Sequence, residues 1–426
     1  MINFKKSRYN IFVQYREGEH IIFNPISGAL GKFDSATMKR YTNDSLTPEE
    51  INKLIEKGIY VPNFVNEIDQ INKDRIEGIY KNNKHFRIWT TSACNANCYY
   101  CFENGIPQIN MSKDTADETF DFLNSMVIEG DHISIEWFGG EPLLNVNIIE
   151  YLSSKFKQTF EEKGIKWHAS VISNGSLLTK HIIEKCASEW NIRNFQITLD
   201  GYNNEYNRIK NYHDIYKYNF DNVICNIKML VKNGINVNIR MNYDTANYDT
   251  LKTLIKFMHQ NFYKEKYIKY YIYPVWDALG DRKDHFVSKA KADEQMIDLM
   301  KMLIDYKMAD IRSLCRLRYR KHQCSACNIY GFSILPNGDL LKCSEAFNSV
   351  VGNVSTGLKE DYLALKWTDV GIDDECKECI YLPLCQGGCR ASKATRMPKC
   401  IAYKEIIPQL LIMNVEYLER ECKGSS

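Results

Sequence analysis

From Phe86 onward, short apolar runs alternate with longer segments in which apolar residues recur at helical spacing. This alternation predicts β-strands that are each followed by an α-helix, and hence a parallel sheet. The predicted strands are Phe86–Thr91, Ile133–Phe138, Trp167–Ile172, Asn194–Leu199, Val237–Asn242 and Ile268–Tyr273. The predicted helices lie near residues 113–129, 147–163, 178–189, 219–233, 247–261 and 289–308. Six such units predict an α/β fold, a partial (β/α)6 TIM barrel, whose reactive groups lie at the carboxyl ends of the strands.

The first 62 residues show a different pattern. Residues 9–15 and 20–23 read as two strands, and the turn-like residues 16–19 between them predict a β-hairpin. The other predicted elements are a helix capped by Asp34 or Ser35, a helix from Thr47 to Gly58, a strand over residues 59–61 and a helical linker over residues 63–82. A compact module of hairpin and helices therefore precedes the barrel.

Length and composition narrow the class of protein. A chain of 426 residues with 44% hydrophobic residues predicts two or three domains. The amino-terminal residues include no apolar signal segment, and no run of about 18 uncharged apolar residues follows, so we expect a cytoplasmic protein. The net charge of +2 predicts no general attraction to nucleic acid or to a membrane surface. Fifteen cysteines in such a chain favour metal or redox duty over disulfides.

Three of these cysteines lie on one predicted loop, Cys94-Asn95-Ala96-Asn97-Cys98-Tyr99-Tyr100-Cys101, directly after the first barrel strand. Three thiolates can bind three irons of a four-iron cluster and leave the fourth iron open to a small molecule. A structural zinc site is the alternative. It would need another ligand nearby, and this CX3CX2C spacing differs from the CX2C pairs of zinc sites.

Further candidates stand at the ends of other strands. The second strand runs into Gly139-Gly140-Glu141-Pro142, where two glycines let the backbone approach a ligand closely, although an ordinary turn is the alternative. The third strand ends in Ser173 and Asn174, followed by glycine, which is also a common turn sequence. On the fifth strand, the guanidinium of Arg240 is suited to pair with a carboxylate, or else to face solvent.

The C-terminal third holds a second group of cysteines: Cys324, Cys327, Cys343, Cys376, Cys379, Cys385, Cys389 and Cys400. Its two CX2C pairs fit zinc ribbons, but a zinc site leaves Cys385, Cys389 and Cys400 without a role. Metal clusters explain more of the thiols. The remaining cysteines, expected to be ordinary thiols, are Cys186, Cys225, Cys315 and Cys422.

The cysteine loop, with Tyr100 before its third cysteine and a Gly-Gly-Glu-Pro segment after the next strand, resembles the radical S-adenosylmethionine (SAM) superfamily. The resemblance implies a 4Fe-4S cluster on Cys94, Cys98 and Cys101, with SAM as cofactor. In this family the Gly-Gly-Glu-Pro segment holds the amino group of SAM. The implied SAM-binding residues are Tyr100, Gly139, Gly140, Glu141, Pro142, Ser173, Asn174 and Arg240.

The spacing from Cys327 to Cys400 resembles that of the SPASM domain. This resemblance implies two auxiliary 4Fe-4S clusters, three in all with the first. Cys327, Cys343 and Cys389 would bind the first auxiliary cluster, and the second would be bound by Cys376, Cys379, Cys385 and Cys400. Cys324 is the nearest candidate for the fourth ligand of the first cluster, and we favour its binding there. A substrate thiolate could then reach that cluster only by displacing Cys324.

The layout of the N-terminal module resembles the winged-helix-like recognition element of ribosomal-peptide maturation enzymes. Such a module would bind a leader peptide as an added strand at the edge of the hairpin. A stabilising cap is the alternative. The implied domains are residues 1–80 for leader recognition and linker, 81–312 for the radical SAM barrel and 313–426 for the SPASM domain.

Together these resemblances imply an oxidoreductase that modifies a ribosomally made precursor peptide. An electron from the first cluster, delivered by a flavodoxin or ferredoxin-type donor, would cleave SAM to methionine and a 5′-deoxyadenosyl radical. That radical abstracts a hydrogen from the substrate. Loss of a second electron through the auxiliary clusters would allow a thioether or carbon-carbon crosslink to form.

Two alternatives remain open. Anaerobic sulfatase-maturing enzymes, which make formylglycine, resemble the chain from the barrel onward. They carry an Asp as base directly after the cysteine equivalent to Cys343, where this chain has Ser344 and Glu345, and they lack the front module. A non-catalytic leader-binding or electron-carrying iron-sulfur protein is the alternative from another class, and the intact cysteine loop with Gly-Gly-Glu-Pro argues against it.

Overall fold

The computed structural model describes residues 3–275, 289–315, 317–321, 324–359, 367–369, 371–393, 395 and 398–424. The strands are β1 (Phe4–Lys6), β2 (Ile11–Arg16), β3 (Glu19–Asn24), β4 (Ala29–Asp34), β5 (Tyr60–Pro62), β6 (Asn83–Thr91), β7 (His132–Gly139), β8 (Lys166–Ser173), β9 (Ile192–Thr198), β10 (Asn236–Tyr243), β11 (Ile268–Pro274), β12 (Gly331–Ile334), β13 (Asp339–Leu341), β14 (Val350–Asn353) and β15 (Gly357–Leu358). The helices are α1 (Ser35–Thr42), α2 (Pro48–Glu56), α3 (Glu67–Tyr80), α4 (Lys113–Ser125), α5 (Val146–Glu162), α6 (Lys180–Ser188), α7 (Asn203–Lys210), α8 (Phe220–Lys232), α9 (Tyr248–Phe262), α10 (Lys289–Asp305) and α11 (Ile311–Cys315), followed by Asp374–Lys377, Leu382–Cys385 and a C-terminal helix, Ile407–Gly424. In this part of the chain, no helix combines the length and the apolar character needed to cross a membrane.

Strands β6 to β11 lie side by side in parallel and in chain order. Phe86 and Ile88 of β6 are completely buried in the core that the helices cover. Arg87 between them therefore lies on the opposite, inner face, because successive side chains of a strand alternate. The six strands and six helices predicted from the hydrophobic pattern are confirmed, with ends that differ by a few residues.

The inner face of this sheet is strongly curved. Arg87 of β6 and Arg240 of β10 have three strands between them, yet the charges of both act on the carboxylate of Glu345. At the strand ends, Tyr99 from the loop after β6 hydrogen-bonds to Asp244, which follows β10. In a flat sheet β6 and β10 would lie roughly 19 Å apart, or four strand spacings. The strands therefore form the curved wall of a partial barrel.

Strand β6 has a second neighbour that the hydrophobic pattern does not predict. β12 pairs in parallel with residues 85–88 of β6, and β13, β14 and β15 continue in antiparallel pairing to give a sheet of ten strands. The indole of Trp89 also donates a hydrogen bond to Ser333 Oγ at 3.0 Å. The cysteine-rich C-terminal region is thus built onto the barrel sheet.

The predicted N-terminal hairpin is confirmed as β2 and β3, and an unpredicted strand, β4, pairs with β3. β3 is therefore the central strand, and β2 and β4 are the edges. Both predicted helix starts are present. The Asp34 carboxylate accepts a hydrogen bond from Thr37 N at 2.6 Å, and Thr47 and Glu50 form a capping box. The strand predicted near residues 59–61 is β5, which pairs with β1.

Both faces of this three-stranded sheet are covered. Apolar residues of β2 and β3 pack against the C-terminal helix, where Ile407 and Leu411 are fully buried. The other face packs against α1 and α2. The predicted linker is the helix α3, which buries Ile71 and Arg75. The N-terminal module therefore shares hydrophobic cores with the C-terminal region.

We expect Leu411→Ala to lower the free energy of unfolding by about 2–5 kcal/mol, because it removes apolar contacts between the C-terminal helix and the N-terminal sheet. Urea unfolding followed by circular dichroism measures the change. Leu358→Ala is the matched control, because Leu358 is 37% exposed and its replacement should change the unfolding free energy by no more than about 0.5 kcal/mol. Equal effects of the two substitutions would contradict the shared core.

Candidate active site

The loop of residues 94–101 leaves the carboxyl end of β6. Its backbone is tied to the end of α7, because Asn97 N donates to Lys210 O at 3.0 Å. Cys94, Cys98 and Cys101 are all half-buried. Burial is the largest cause that raises the pKa of each thiol, to about 12 for Cys101, and the charges of neighbouring thiolates add to the rise at Cys94 and Cys101. Without a bound cation these three thiols therefore keep their protons at neutral pH.

The spacing of the thiols distinguishes a single metal ion from a larger group. Ligands of one zinc ion lie roughly 3.8 Å apart, since Zn–S bonds of about 2.3 Å point to the corners of a tetrahedron. Among the described cysteines, no three Sγ atoms all lie within 4.8 Å of one another. This wider spacing argues against zinc on the cysteine loop and fits a cluster in which each thiol binds a different iron.

Gly139 and Gly140 lie against the backbone that leads into the cysteine loop. A Cβ atom on Gly139, whose φ is +120°, would lie 1.9 Å from Thr91 O, and one on Gly140 would lie 2.3 Å from Ala93 O. Gly140 N and Glu141 N donate to these same two carbonyls at 3.2 and 2.9 Å. The two glycines are therefore required for the close approach of the ends of β6 and β7.

Glu141 is completely buried, and its carboxylate joins the ends of β7 and β8. It accepts hydrogen bonds from Asn174 N at 2.8 Å, Ser173 Oγ at 2.9 Å and Leu143 N at 3.2 Å. Burial raises the pKa of Glu141 to about 7, while these three hydrogen bonds act in the opposite direction. Pro142 begins the 3-10 turn Pro142–Asn145 directly after this carboxylate. Glu141 thus holds the strand ends in place, and the Ser173 hydroxyl donates its hydrogen bond to Glu141.

The side chain of Asn174 faces the cysteine loop. Its Nδ2 donates to Asn95 Oδ1 at 2.8 Å, and its Oδ1 accepts from Ser176 Oγ at 2.6 Å. Asn95 Nδ2 donates to Ser176 Oγ at 3.0 Å, which closes a ring of three side chains. Asn174 therefore helps to position the loop, in addition to the SAM contact predicted for it.

Tyr100 belongs to a buried hydrogen-bond network. This network includes Lys210, which the sequence analysis did not single out. Its hydroxyl donates to Asp200 Oδ2 at 2.7 Å and accepts from Lys210 Nζ at 3.1 Å. Lys210 and Asp200 are almost completely buried and form an ion pair at 2.8 Å. Asp200 directly follows the predicted strand Asn194–Leu199, whereas Lys210 lies at the end of α7 with no motif around it. The pair fixes Tyr100 and, through Lys210 O, the backbone of the cysteine loop.

Arg240 lies lower on the inner face. Its Nε donates to Asn242 Oδ1 at 2.8 Å, and its guanidinium stacks over the Tyr273 ring with 4.0 Å to the ring centre. Burial raises the pKa of Glu345, and the charges of Arg240 and Arg87 act in the opposite direction. The inner face of the barrel therefore carries charged groups, which lie beside aromatic rings such as that of Phe138 under the Arg87 guanidinium. The predicted pairing of Arg240 with the SAM carboxylate stays a prediction.

Cys324, Cys327, Cys343 and Cys389 are brought together by the C-terminal fold. The thiols of Cys324 and Cys327 hydrogen-bond to each other, which lowers the pKa of Cys324 and raises that of Cys327. Burial raises the pKa of Cys343 to about 12, and the charges of Cys324 and Cys389 add to this rise. Cys324 thus lies near the three residues that the resemblance assigns to the first auxiliary cluster, and its role as a fourth ligand stays a prediction.

The other four cysteines of the C-terminal region line one cavity of about 110 Å³: Cys376, Cys379, Cys385 and Cys400. Its wall also contains Gly387 and Gly388, both with positive φ, and Lys399 and Lys404. Glu375 lines the cavity as well, and Lys399 forms ion pairs with Glu375 and Asp373. A cavity walled by four thiols fits an iron-sulfur cluster.

The two thiol groups nearest the barrel lie at its opposite ends. The cysteine loop is at the carboxyl ends of the strands. Cys324 and Cys327 line a second cavity, of about 330 Å³, together with residues 132–134 of β7 and 166–168 of β8, which are the amino ends of those strands. The charged inner face therefore lies between the cysteine loop and the first C-terminal group of thiols.

The four cysteines expected to be ordinary thiols lie apart from these groups. Cys186 and Cys315 are buried in the hydrophobic core, and Cys225 and Cys422 are exposed.

Residues 88–258 match the model of the Radical SAM superfamily. The matched segment contains the cysteine loop, the Gly139–Pro142 segment and Ser173. Residues 88–258 form a radical SAM domain. A radical SAM domain implies a 4Fe-4S cluster and SAM, and the thiols and strand ends described above fit both groups.

Curated relatives extend this likeness beyond the radical SAM domain. The chain is 27% identical to the radical SAM cyclopropyl synthase TigE of Paramaledivibacter caminithermalis, in a match that covers 53% of each protein, so it spans about half the length of that relative. It is 25% identical to a cysteine-type anaerobic sulfatase-maturating enzyme of Clostridium novyi, over 72% of this chain and 88% of that one.

Two solved structures share the fold. The structure of native anSMEcpe with bound AdoMet (SAM) has a TM-score of 0.59 and 16% identity, and the match covers 78% of this chain and 99% of that one. Streptococcus suis SuiB bound to the precursor peptide SuiA has a TM-score of 0.51 and 17% identity, with 91% and 95% of the two chains covered. At these identities the likeness is one of fold.

We expect Gly140→Ala to lower SAM cleavage roughly 100-fold, because the added Cβ must push apart the ends of β6 and β7 that carry the radical SAM site. Chromatography of 5′-deoxyadenosine formed with dithionite and SAM measures the rate. Gly31→Ala is the matched control, since a Cβ on Gly31 meets only Ile22 Cγ2 at 3.7 Å. A wild-type rate in Gly140→Ala would show that this contact does not shape the site.

Proposed function

We propose that this protein is a radical SAM enzyme that modifies a ribosomally made precursor peptide and forms a thioether or carbon-carbon crosslink. The observation that carries the proposal is the placement of two thiol groups at opposite ends of one charged barrel interior. A substrate side chain in that interior would lie between the SAM site and the first auxiliary cluster. This is the arrangement that removal of a hydrogen atom and then of a second electron requires.

In this proposal Cys94, Cys98 and Cys101 hold a 4Fe-4S cluster. When bound, that cluster supplies the electron that splits SAM and so makes available a radical that can take hydrogen from carbon. The chain's own residues position the reactants. Glu141, through the backbone of Asn174 and the hydroxyl of Ser173, keeps the strand ends fixed around the space for SAM. Tyr100, held by Asp200 and Lys210, keeps the cysteine loop from shifting.

The two C-terminal thiol groups would hold the auxiliary clusters, giving three clusters in all. The first is assigned to Cys324, Cys327, Cys343 and Cys389. The second is assigned to the four thiols that wall the 110 Å³ cavity. Residues 81–312 would be the barrel and residues 313–426 the SPASM domain. The hydrogen bond between Cys324 and Cys327 supports Cys324 as a ligand.

The N-terminal module, residues 1–80, would recognise the leader of the precursor. Strand addition needs an edge, and the sheet offers β2 and β4. We favour β4, because it borders a groove of about 1,340 Å³ that Leu30 lines together with α3 and the C-terminal helix. A leader strand on β4 would lie over this groove, and its side chains could enter it.

The names of the relatives support a peptide substrate. SuiB shares the fold over almost the whole chain and is known in complex with a precursor peptide. TigE is named as a cyclopropyl synthase, and closing a cyclopropane ring requires a new carbon-carbon bond. A cytoplasmic enzyme with a flavodoxin or ferredoxin-type electron donor completes the proposal.

A sulfatase-maturing function is the second candidate, because the Clostridium novyi relative aligns over 88% of its own length. Formation of formylglycine in a cysteine-containing sulfatase peptide, detected by mass spectrometry, would decide for it. The residue after Cys343 favours the first proposal. Ser344 stands there and accepts a hydrogen bond from Arg87 Nη1.

We expect the protein reconstituted with iron and sulfide to form 5′-deoxyadenosine from SAM and dithionite. Replacement of Cys94, Cys98 and Cys101 together by Ala should abolish this product and lower the iron content from about twelve to about eight per chain, as three four-iron clusters become two. The Cys225→Ala variant is the control, because Cys225 is an exposed thiol outside all three groups. No 5′-deoxyadenosine from the wild type would favour a non-catalytic carrier, and unchanged iron in the triple variant would refute the assignment of the loop.

We expect Cys324→Ala to make the first auxiliary cluster labile and to change its electron paramagnetic resonance spectrum in the absence of peptide, since one of four thiolate ligands is removed. Iron loss to a chelator measures the lability. Cys422→Ala, which removes another exposed thiol, should leave both unchanged. If Cys324→Ala kept full iron and its original spectrum, Cys324 would be a bystander, and the cluster would have an open position for a substrate thiolate.

A further inference from the structure

Helix α3 buries three ionisable side chains, and the carboxylates of two of them accept hydrogen bonds. Glu67 accepts hydrogen bonds from Ser7 Oγ and Arg8 N, and Asp74 accepts one from Tyr319 Oη at 2.6 Å. The third is different. Arg75 is 3% exposed, its Nη2 donates to Gly371 O at 3.3 Å, and its Nη1 is buried without a hydrogen-bond partner.

A second guanidinium meets Arg75 at the same carbonyl. Arg390 Nη2 donates to Gly371 O at 2.9 Å, and its Nε is also buried without a partner. The nearest carboxylate to Arg390, that of Asp369, is 60% exposed and 4.0 Å from Arg390 Nη1. Two like charges in a poorly hydrated place repel each other, and one exposed carboxylate is a weak compensation. Further negative charge near Arg75 and Arg390 would therefore stabilise this arrangement.

The thiol groups supply candidates for that charge on both sides. Arg75 lines the 330 Å³ cavity together with Cys324 and Cys327. On the other side of Arg75 lies Gly387, and a Cβ placed on this glycine would be 3.3 Å from Arg75 Nη1. The carbonyl oxygen of Gly387 is in turn 3.9 Å from Cys376 Sγ. Cys327 belongs to the first thiol group and Cys376 to the second. Arg75 thus lies between the two.

We propose that Arg75, with Arg390 beside it, is a shared counter-charge for the two auxiliary clusters and raises the reduction potential of both. This inference rests on the proposed function, in that the two thiol groups must hold clusters. Reduction adds one electron, and hence one negative charge, to a cluster. A fixed cation nearby stabilises the reduced form more than the oxidised form, and it does so strongly where water is excluded.

The test uses the variant with Cys94, Cys98 and Cys101 replaced by Ala, so that only the auxiliary clusters contribute. In that background Arg75→Gln keeps an N–H donor for Gly371 O but removes the charge, and Arg75→Lys keeps the charge. Arg420→Gln is the control for general loss of charge, since Arg420 is 62% exposed and paired with Asp305. Redox titration monitored by electron paramagnetic resonance gives the two midpoint potentials.

We expect Arg75→Gln to lower the reduction equilibrium constant of each auxiliary cluster at least tenfold. For a one-electron couple this is a fall of about 59 mV in the midpoint potential. In Arg75→Lys, the reduction equilibrium constant of each auxiliary cluster should stay within threefold of that of the parent variant. In Arg420→Gln, both constants should equal those of the parent. Unchanged potentials in Arg75→Gln, or a shift confined to one cluster, would overturn the shared counter-charge. If Arg75→Gln loses its iron, Arg390→Gln provides the same comparison, and unchanged potentials there would overturn the proposal.

Failure of the proposed function is separate from these outcomes. If the parent variant holds much less than about eight irons, the cluster assignment itself is wrong. If it holds them and the potentials do not respond to the charge of Arg75, only the present inference fails.

Discussion

The pairing of β6 with β12 is the constraint on which the rest of the arrangement depends. The cysteine loop follows the carboxyl end of β6. β12 lies beside residues 85–88 of β6, and Cys324 and Cys327 come shortly before β12 in the chain. Because hydrogen-bonded strands cannot slide past each other without losing their register, this pairing fixes the separation of the two thiol groups. The distance from the cysteine loop to Cys324 and Cys327 is therefore set by the sheet and not by a flexible linker.

A buried charge is costly unless a second charge or a hydrogen-bonding partner stabilises it. Lys210 and Asp200 neutralise each other and hold the cysteine loop through the backbone of the same lysine. Removing one partner of such a pair would leave an unmatched buried charge, at a typical cost of about 3–5 kcal/mol. Among the described residues, Arg75 forms no ion pair of this kind, and the groups around it include the exposed carboxylate of Asp369 and the thiols of Cys327 and Cys376. This contrast is the basis for the proposal that a charged group binds near the C-terminal cysteines.

Much of the architecture is readable from the sequence because its signals are local. Short apolar runs between helical segments mark β6 to β11, and the capping box at Thr47 marks the start of α2. The spacing of the cysteines shows which thiols belong together, because cysteines that lie close together on one loop can bind the same metal cluster. By contrast, β4 is missed because Gly31 and Lys32 interrupt its apolar pattern. β12 is missed for another reason, since its four residues carry no mark of the strand with which they pair, and pairing across more than 240 residues has no local signature.

The same limit applies to Lys210 and Arg75, whose roles depend on partners far away in the chain. It also changes how the N-terminal module is understood. Residues 1–80 look like an appended unit, yet β2 and β3 share a core with the C-terminal helix, and α3 places Arg75 beside the thiols of the C-terminal region. Removing the module would therefore disturb leader recognition and the auxiliary thiols together. The edge strand β4 pairs with β3 alone and borders the groove described above, so changes on its outer edge would test leader binding while the module and both thiol groups stay in place.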